Sequence, residues 1–165
     1  MTSDKSVDSA QRLDALLARI PQPQILASNQ PVSGVGAVSI SGMTWNVVPG
    51  QYEIHGMVNW SQGASAVAQA NGFGGSCSIS SCRVSNNWQV ATQFVQAGIN
   101  TREFSGAALG LGNTPAYAAG TAVEWLFSGS FTVSVAGTLN VAVATTGGGS
   151  YTVGADSVAT LTMVG

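Results

Sequence analysis

Charge is what this chain has least of. Only 7% of its 165 residues are Asp, Glu, Lys or Arg, against about 25% in ordinary soluble domains. Disorder does not follow, because Val, Ile, Leu, Phe and Trp are plentiful and disordered chains lack them. After residue 20 the only basic residues are Arg83 and Arg102, facing Glu53, Glu103, Glu124 and Asp156 in a chain of net charge −2. A phosphate backbone needs a basic footprint, so no nucleic-acid partner is expected. No apolar run approaches the length of a bilayer span, and the N-terminus has no apolar signal region. We therefore expect no membrane partner and synthesis in a cytoplasm without a signal peptide.

Metal and catalytic residue types are equally scarce. There is one histidine, His55, and two cysteines, Cys77 and Cys82. A closed zinc site needs four ligands, so no metal and no cofactor is expected. The cysteines flank "SISS". A hairpin over residues 76–84 would permit a cross-strand disulfide, but the favoured reading is two reduced or structural thiols. A hydrolytic triad needs a base and an orienting acid, yet His55 and Asp156 sit in no recognisable motif. Nor does any spacing pair Glu53, Glu103, Glu124 or Asp156 as glycosidase carboxylates. "NGFGGS" and "TTGGGS" lack the Lys-Ser/Thr and helix of a phosphate loop. They read as turns, and no catalytic residue is expected.

What is present is pattern. Residues 6–20, "SVDSAQRLDALLARI", place Ala10, Leu13, Leu16, Leu17 and Ile20 on one helical face. Ser3 or Ser6 suits the N-cap, Arg19 suits the last turn, and Pro21 stops the helix. Such a helix is too short to stand alone, so its apolar face must lie against the chain's own body or another chain. Leu13, Leu16, Leu17 and Ile20 are the candidate docking residues. Residues 21–34, "PQPQILASNQPVSG", read as an extended linker because its three prolines remove backbone donors.

Beyond residue 35 the period switches to two. In "QYEIHGMVNW", Tyr52, Ile54, Val58 and Trp60 share one face, with Glu53, His55 and Asn59 on the other. In "AVEWLFSGSFTVSV" every odd position from Val123 to Val135 is apolar except Gly129. A turn at Ala136-Gly137 returns the chain through Leu139, Val141 and Val143, which is a hairpin. "SVATLTMV" reads as the closing strand, and weaker strands are expected at 36–41, 43–48, 77–84 and 88–97. Residues 62–75 and 105–120 read as loops. The expected fold class is therefore all-β: a jelly-roll β-sandwich of eight to ten antiparallel strands over residues 34–165, preceded by a helix-and-linker arm over residues 1–33. Among the tryptophans, Trp60 and Trp125 fall on core faces. Trp45 and Trp88 stay open as stacking platforms for a sugar ring. Arg102-Glu103 is a candidate solvated or subunit-contact pair.

"VPGQYEIHGMVNW", followed by "FSGSFTVSVAGTLNVAVAT" and "YTVGADSVATLTMV", resembles the strand signature of tumour-necrosis-factor-like and complement-head-like jelly rolls, especially those of bacteriophage virion proteins. The resemblance covers residues 34–165. Residues 62–120 match nothing in it, and the N-terminal helix is no part of that fold. It implies a homotrimer on a virion surface, with the major capsid protein or another shell protein as partner. It supplies no catalytic residue. A short arm suits a capsid decoration or head-fibre protein better than a tail fibre. The alternative is a receptor-binding module for host-surface glycan, using the two loops or Trp45 and Trp88.

Overall fold

In the computed structural model the described residues are 12–13, 16–17, 19–33, 36–63, 69–90, 93–102, 109–114, 118–145 and 149–165. They form twelve strands in two antiparallel sheets: β1 Gln22–Ile25, β2 Gln30–Ser33, β3 Val38–Val47, β4 Gly50–Gln62, β5 Gln69–Gly75, β6 Ser78–Val90, β7 Gln93–Arg102, β8 Leu109–Thr114, β9 Ala122–Val135, β10 Gly137–Thr145, β11 Ser150–Val153 and β12 Val158–Met163. The larger sheet runs β1-β12-β4-β9-β6-β7, with β11 joining β4 to β2. The smaller runs β3-β10-β5-β8. Successive long strands cross from one sheet to the other, which makes a jelly roll, and the β6–β7 hairpin widens the larger sheet beyond β9. The expected all-β jelly roll is the fold of this chain.

Alternation builds the interior. Tyr52, Ile54, Val58 and Trp60 of β4 and Val123, Trp125, Phe127, Phe131 and Val133 of β9 are all buried. They meet Leu139, Val141 and Val143 of β10 and Phe73 of β5 from the opposite sheet. Phe73 packs edge-on to Phe127 at 5.8 Å and tilted against Phe131 at 6.2 Å, tying the sheets together. Tyr52 and Phe131, directly opposite in register, stack at 5.7 Å. Two polar handles inside this core have clear partners. Trp125 Nε1 donates to Asn86 Oδ1 at 3.0 Å, and Tyr52 Oη donates to the Val48 carbonyl at 2.9 Å.

Several boundaries differ from those read in the sequence. The expected strands 36–41 and 43–48 are one strand, β3, with Gly42 at φ 78° where the register against β10 shifts. A glycine is needed there because only it adopts a left-handed bend cheaply. The expected loops contain strands: β5 lies within 62–75 and β8 within 105–120. The segment expected as a linker is extended but not free. β1 pairs β12 from Gln22 to Ile25, and β2 pairs β11 from Gln30 to Ser33, because Ile25–Gln30 turns on the buried Leu26. Of the expected helix, Arg12, Leu13, Leu16 and Leu17 have helical backbone, Arg19 and Ile20 form a turn and bend that ends it, and the other residues lie outside the described residues.

The sandwich has two ends. At one, called here the proximal pole, β3 turns into β4, β9 turns into β10, and β12 ends. At the other, the distal pole, β4 ends and β9 begins.

Candidate interaction surfaces

The strand register brings Glu53 and Arg83, two of the body's few charges, onto one surface. On β4, β9 and β6, Glu53 lies opposite Ser130, and Ser130 opposite Arg83. The next row is His55–Ser128–Ser85 and the one before it Gln51–Thr132–Ser81. All of these face away from the core. Because β9 offers only small hydroxyl side chains between the longer ones of its neighbours, the surface sinks into a trough. The trough has two continuous parts of about 440 and 340 Å³ that share Glu53, Arg83 and Ser130. Two strand spacings, about 10 Å, separate Glu53 from Arg83, and no ion pair joins them.

One row further along the same face the chemistry changes. Ile25 of β1 lies opposite Val158 of β12, Val158 opposite Met57 of β4, and Met57 opposite Leu126 of β9. Ile25 is 60% exposed, and the other three are partly exposed. An apolar band thus crosses four strands beside an acid and a base. Water-exposed faces of antiparallel sheets ordinarily alternate to polar residues, and this band departs from that pattern.

The second surface is the arm. Leu13, Leu16, Leu17 and Ile20 are 50–63% exposed, so the body leaves the arm's apolar face uncovered.

The remaining sequence candidates fall as follows. Trp45 and Trp88 cannot stack on a sugar: they are 2% and 1% exposed. Trp45 Nε1 donates to the Gln22 carbonyl at 3.0 Å, so Trp45 secures β1 to the small sheet. The pair continues the inward alternation of Met43, Trp45 and Val47 and of Val84, Asn86 and Trp88. The disulfide alternative also fails, because residues 78–90 are one strand rather than a hairpin, and Cys77 and Cys82 are buried free thiols. Burial raises the Cys77 thiol and pushes the Cys82 thiol up to about 11, which keeps both protonated and poorly nucleophilic near neutrality. His55 and Glu53 are exposed on the open trough, as their alternation implied. Glu103 and the side chain of Arg102 lie outside the described residues. Among the described residues no cluster of His, Cys, Asp and Glu could hold a metal ion, and no helix is long and apolar enough to cross a membrane.

Sequence reading missed Arg83 and the apolar band. Alternation put their residues on the solvent side, but a row exists only once β4, β9 and β6 are known to be neighbours, and Arg83 is 30 residues from Glu53 in the chain.

No protein-family model matches this chain, and no curated protein matches it in sequence. Solved structures show a distant likeness to it. The Eiger TNF of S. frugiperda is 12% identical over 88% of this chain and 92% of its own, with a TM-score of 0.40. The Gx strain of infectious bursal disease virus is 11% identical over 87% of this chain and 41% of its own, at 0.28. The VP2 subviral particle of the same virus is 11% identical, with the same coverage, at 0.24. The chain thus spans less than half the length of the viral proteins it resembles.

Proposed function

We propose that this chain is a structural protein of a virion surface, a capsid decoration or head-fibre protein of bacteriophage type, that assembles as a homotrimer and attaches through residues 1–33. The observation that carries the reading is the division of labour just described. A closed, charge-poor body leaves exposed a polar-and-apolar sheet face, while a separate arm presents Leu13, Leu16, Leu17 and Ile20 at 50–63% exposure. A face with both an apolar band and a separated acid and base suits packing against copies of itself, since burial drives association and charge fixes the register. The arm then serves the major capsid protein or another shell protein. The role is adhesive and involves no catalysis, and its site of action is the outside of the particle.

Deleting residues 1–20 tests the assignment. The truncated chain should keep the mass of the intact oligomer and lose attachment to particles, measured by mass photometry and by co-sedimentation. Attachment that survives the deletion overturns the anchor. The self-contact is tested separately by Leu126→Asp and Met57→Asp, which should shift the mass to that of a single chain. With the mass unchanged, the larger sheet's outer face is not the contact.

A further inference from the structure

Glu53 and Arg83 are the acid and the base of the trough, and both are exposed. They share one row across the sheet, in which Ser130 of β9 lies opposite Glu53 on one side and Arg83 on the other. A carboxylate and a guanidinium taken out of water separately lose their hydration with nothing in return. Closing the larger sheet's outer face on copies of itself, the self-contact proposed above and the premise of this inference, would cover both groups. Since no ion pair joins them within the chain, a neighbouring copy must supply each partner.

The register says which residues those partners are. Rotation about an axis parallel to the strands moves no residue along that axis, so each row of one copy stays level with the same row of the next. The β4 side of one copy then adjoins the β6 side of its neighbour. We infer that Glu53 of each copy pairs with Arg83 of the next, so that the Glu53–Ser130–Arg83 rows close into a ring of alternating acid and base around the assembly axis.

The trough gives these side chains room. Its two parts, about 440 and 340 Å³, share Glu53, Arg83 and Ser130. A neighbour's guanidinium can therefore enter above the small Ser130 hydroxyl and reach Glu53 without displacing backbone, which suits the forked geometry of an arginine–carboxylate pair. Glu124, the other acid on the outer face of these strands, lies three rows away, level with Asn59 and Gln89 and with no base in that row among the described residues. The charged ring thus belongs to the half of the face nearer the proximal pole.

Charge reversal in the full chain tests the pairing. Glu53→Arg alone and Arg83→Glu alone each set like charges against each other at every seam, and each should weaken assembly by at least about tenfold, read by mass photometry across a dilution series. Glu53→Gln, which removes the charge without reversing it, should give a smaller loss. The chain carrying both Glu53→Arg and Arg83→Glu restores the alternation with its ends exchanged and should assemble as the unchanged chain does. Circular dichroism spectra matching across all four variants separate lost assembly from lost folding. Unaltered assembly in both single reversals, with Leu126→Asp still dissociating the oligomer, overturns the pairing and leaves the self-contact standing. A double reversal that stays dissociated overturns it too, because each charge then acts alone. An unchanged chain that runs as a single chain at every concentration removes the self-contact and this inference together. Single reversals that keep the oligomer mass but lose binding to particle heads assign the trough to the shell protein, which also overturns it.

Discussion

The centre of the larger sheet and the middle of the smaller one solve the same packing problem with opposite materials. On β9 the inward positions are Val123, Trp125, Phe127, Gly129, Phe131 and Val133, and Trp125 lies 4.4 Å from Phe127 between ring centroids. On β5, "QANGFGG", the described inward side chains are Asn71 and Phe73, and Phe73 is the aromatic one, set among glycines. The first strand is held by its own aromatic column, and the second by a single ring that reaches across the sandwich. Stability should therefore be dense on one sheet and concentrated on the other, so that the two respond differently to the same kind of damage.

Trp125→Ala is the heaviest blow to this arrangement. It removes a fully buried indole together with its hydrogen bond to Asn86, and should cost about 4–5 kcal/mol in denaturant titration. Phe73→Ala should follow at about 3–4 kcal/mol. If the smaller sheet depends on that ring, its β5 amides should also lose hydrogen-exchange protection before those of β9. A loss spread evenly over both sheets would erase the contrast.

Glycines sharpen the comparison. A Cβ at Gly129 would meet the Arg83 carbonyl oxygen and the Val84 Cα, whereas one at Gly74 would meet the side-chain oxygen of Asn140 at 2.8 Å. Backbone on a central strand cannot yield, but an Asn side chain can rotate. Gly129→Ala should cost roughly 2–3 kcal/mol, and Gly74→Ala about 1 kcal/mol or less. The reverse order would mean that the smaller sheet is the more rigid of the two.

The last effect is one of pH. With Cys82 held at about 11 in the folded chain and a free thiol near 8.5 when unfolded, both states are protonated below the lower value. Between the two values only the unfolded chain ionises, so stability falls as pH rises through that window. Cys82→Ala should flatten the slope there. An unchanged slope would assign it to other groups.

The same contrast decides how much of the molecule could be read from sequence. β9 and β10 were legible around the turn at Ala136-Gly137, because apolar residues recur at odd positions broken only by Gly129. β5 and β8 were not, since "NGFGG" and "LGLGN" are rich in glycine, which reads as turn or loop rather than strand. Trp88 stayed ambiguous because Asn86, two residues earlier on the same inward face, looks solvent-facing until its bond to Trp125 is seen. The prolines of residues 21–34 correctly signalled extended backbone. Pairing with β12 and β11 depends on partners more than 115 residues away, and no local pattern encodes it. The arm's apolar face was plain in the sequence. The Glu53–Ser130–Arg83 row and the adjoining apolar band required the register.

The four-residue pairing of β1 with β12 also has a mechanical meaning. A pull on the arm runs along the axis of β1, at right angles to the hydrogen bonds that hold it. Those bonds then share the load and yield together in shear instead of opening one after another like a zipper. Stitching the arm into the sheet turns a short tether into a strap that resists tearing.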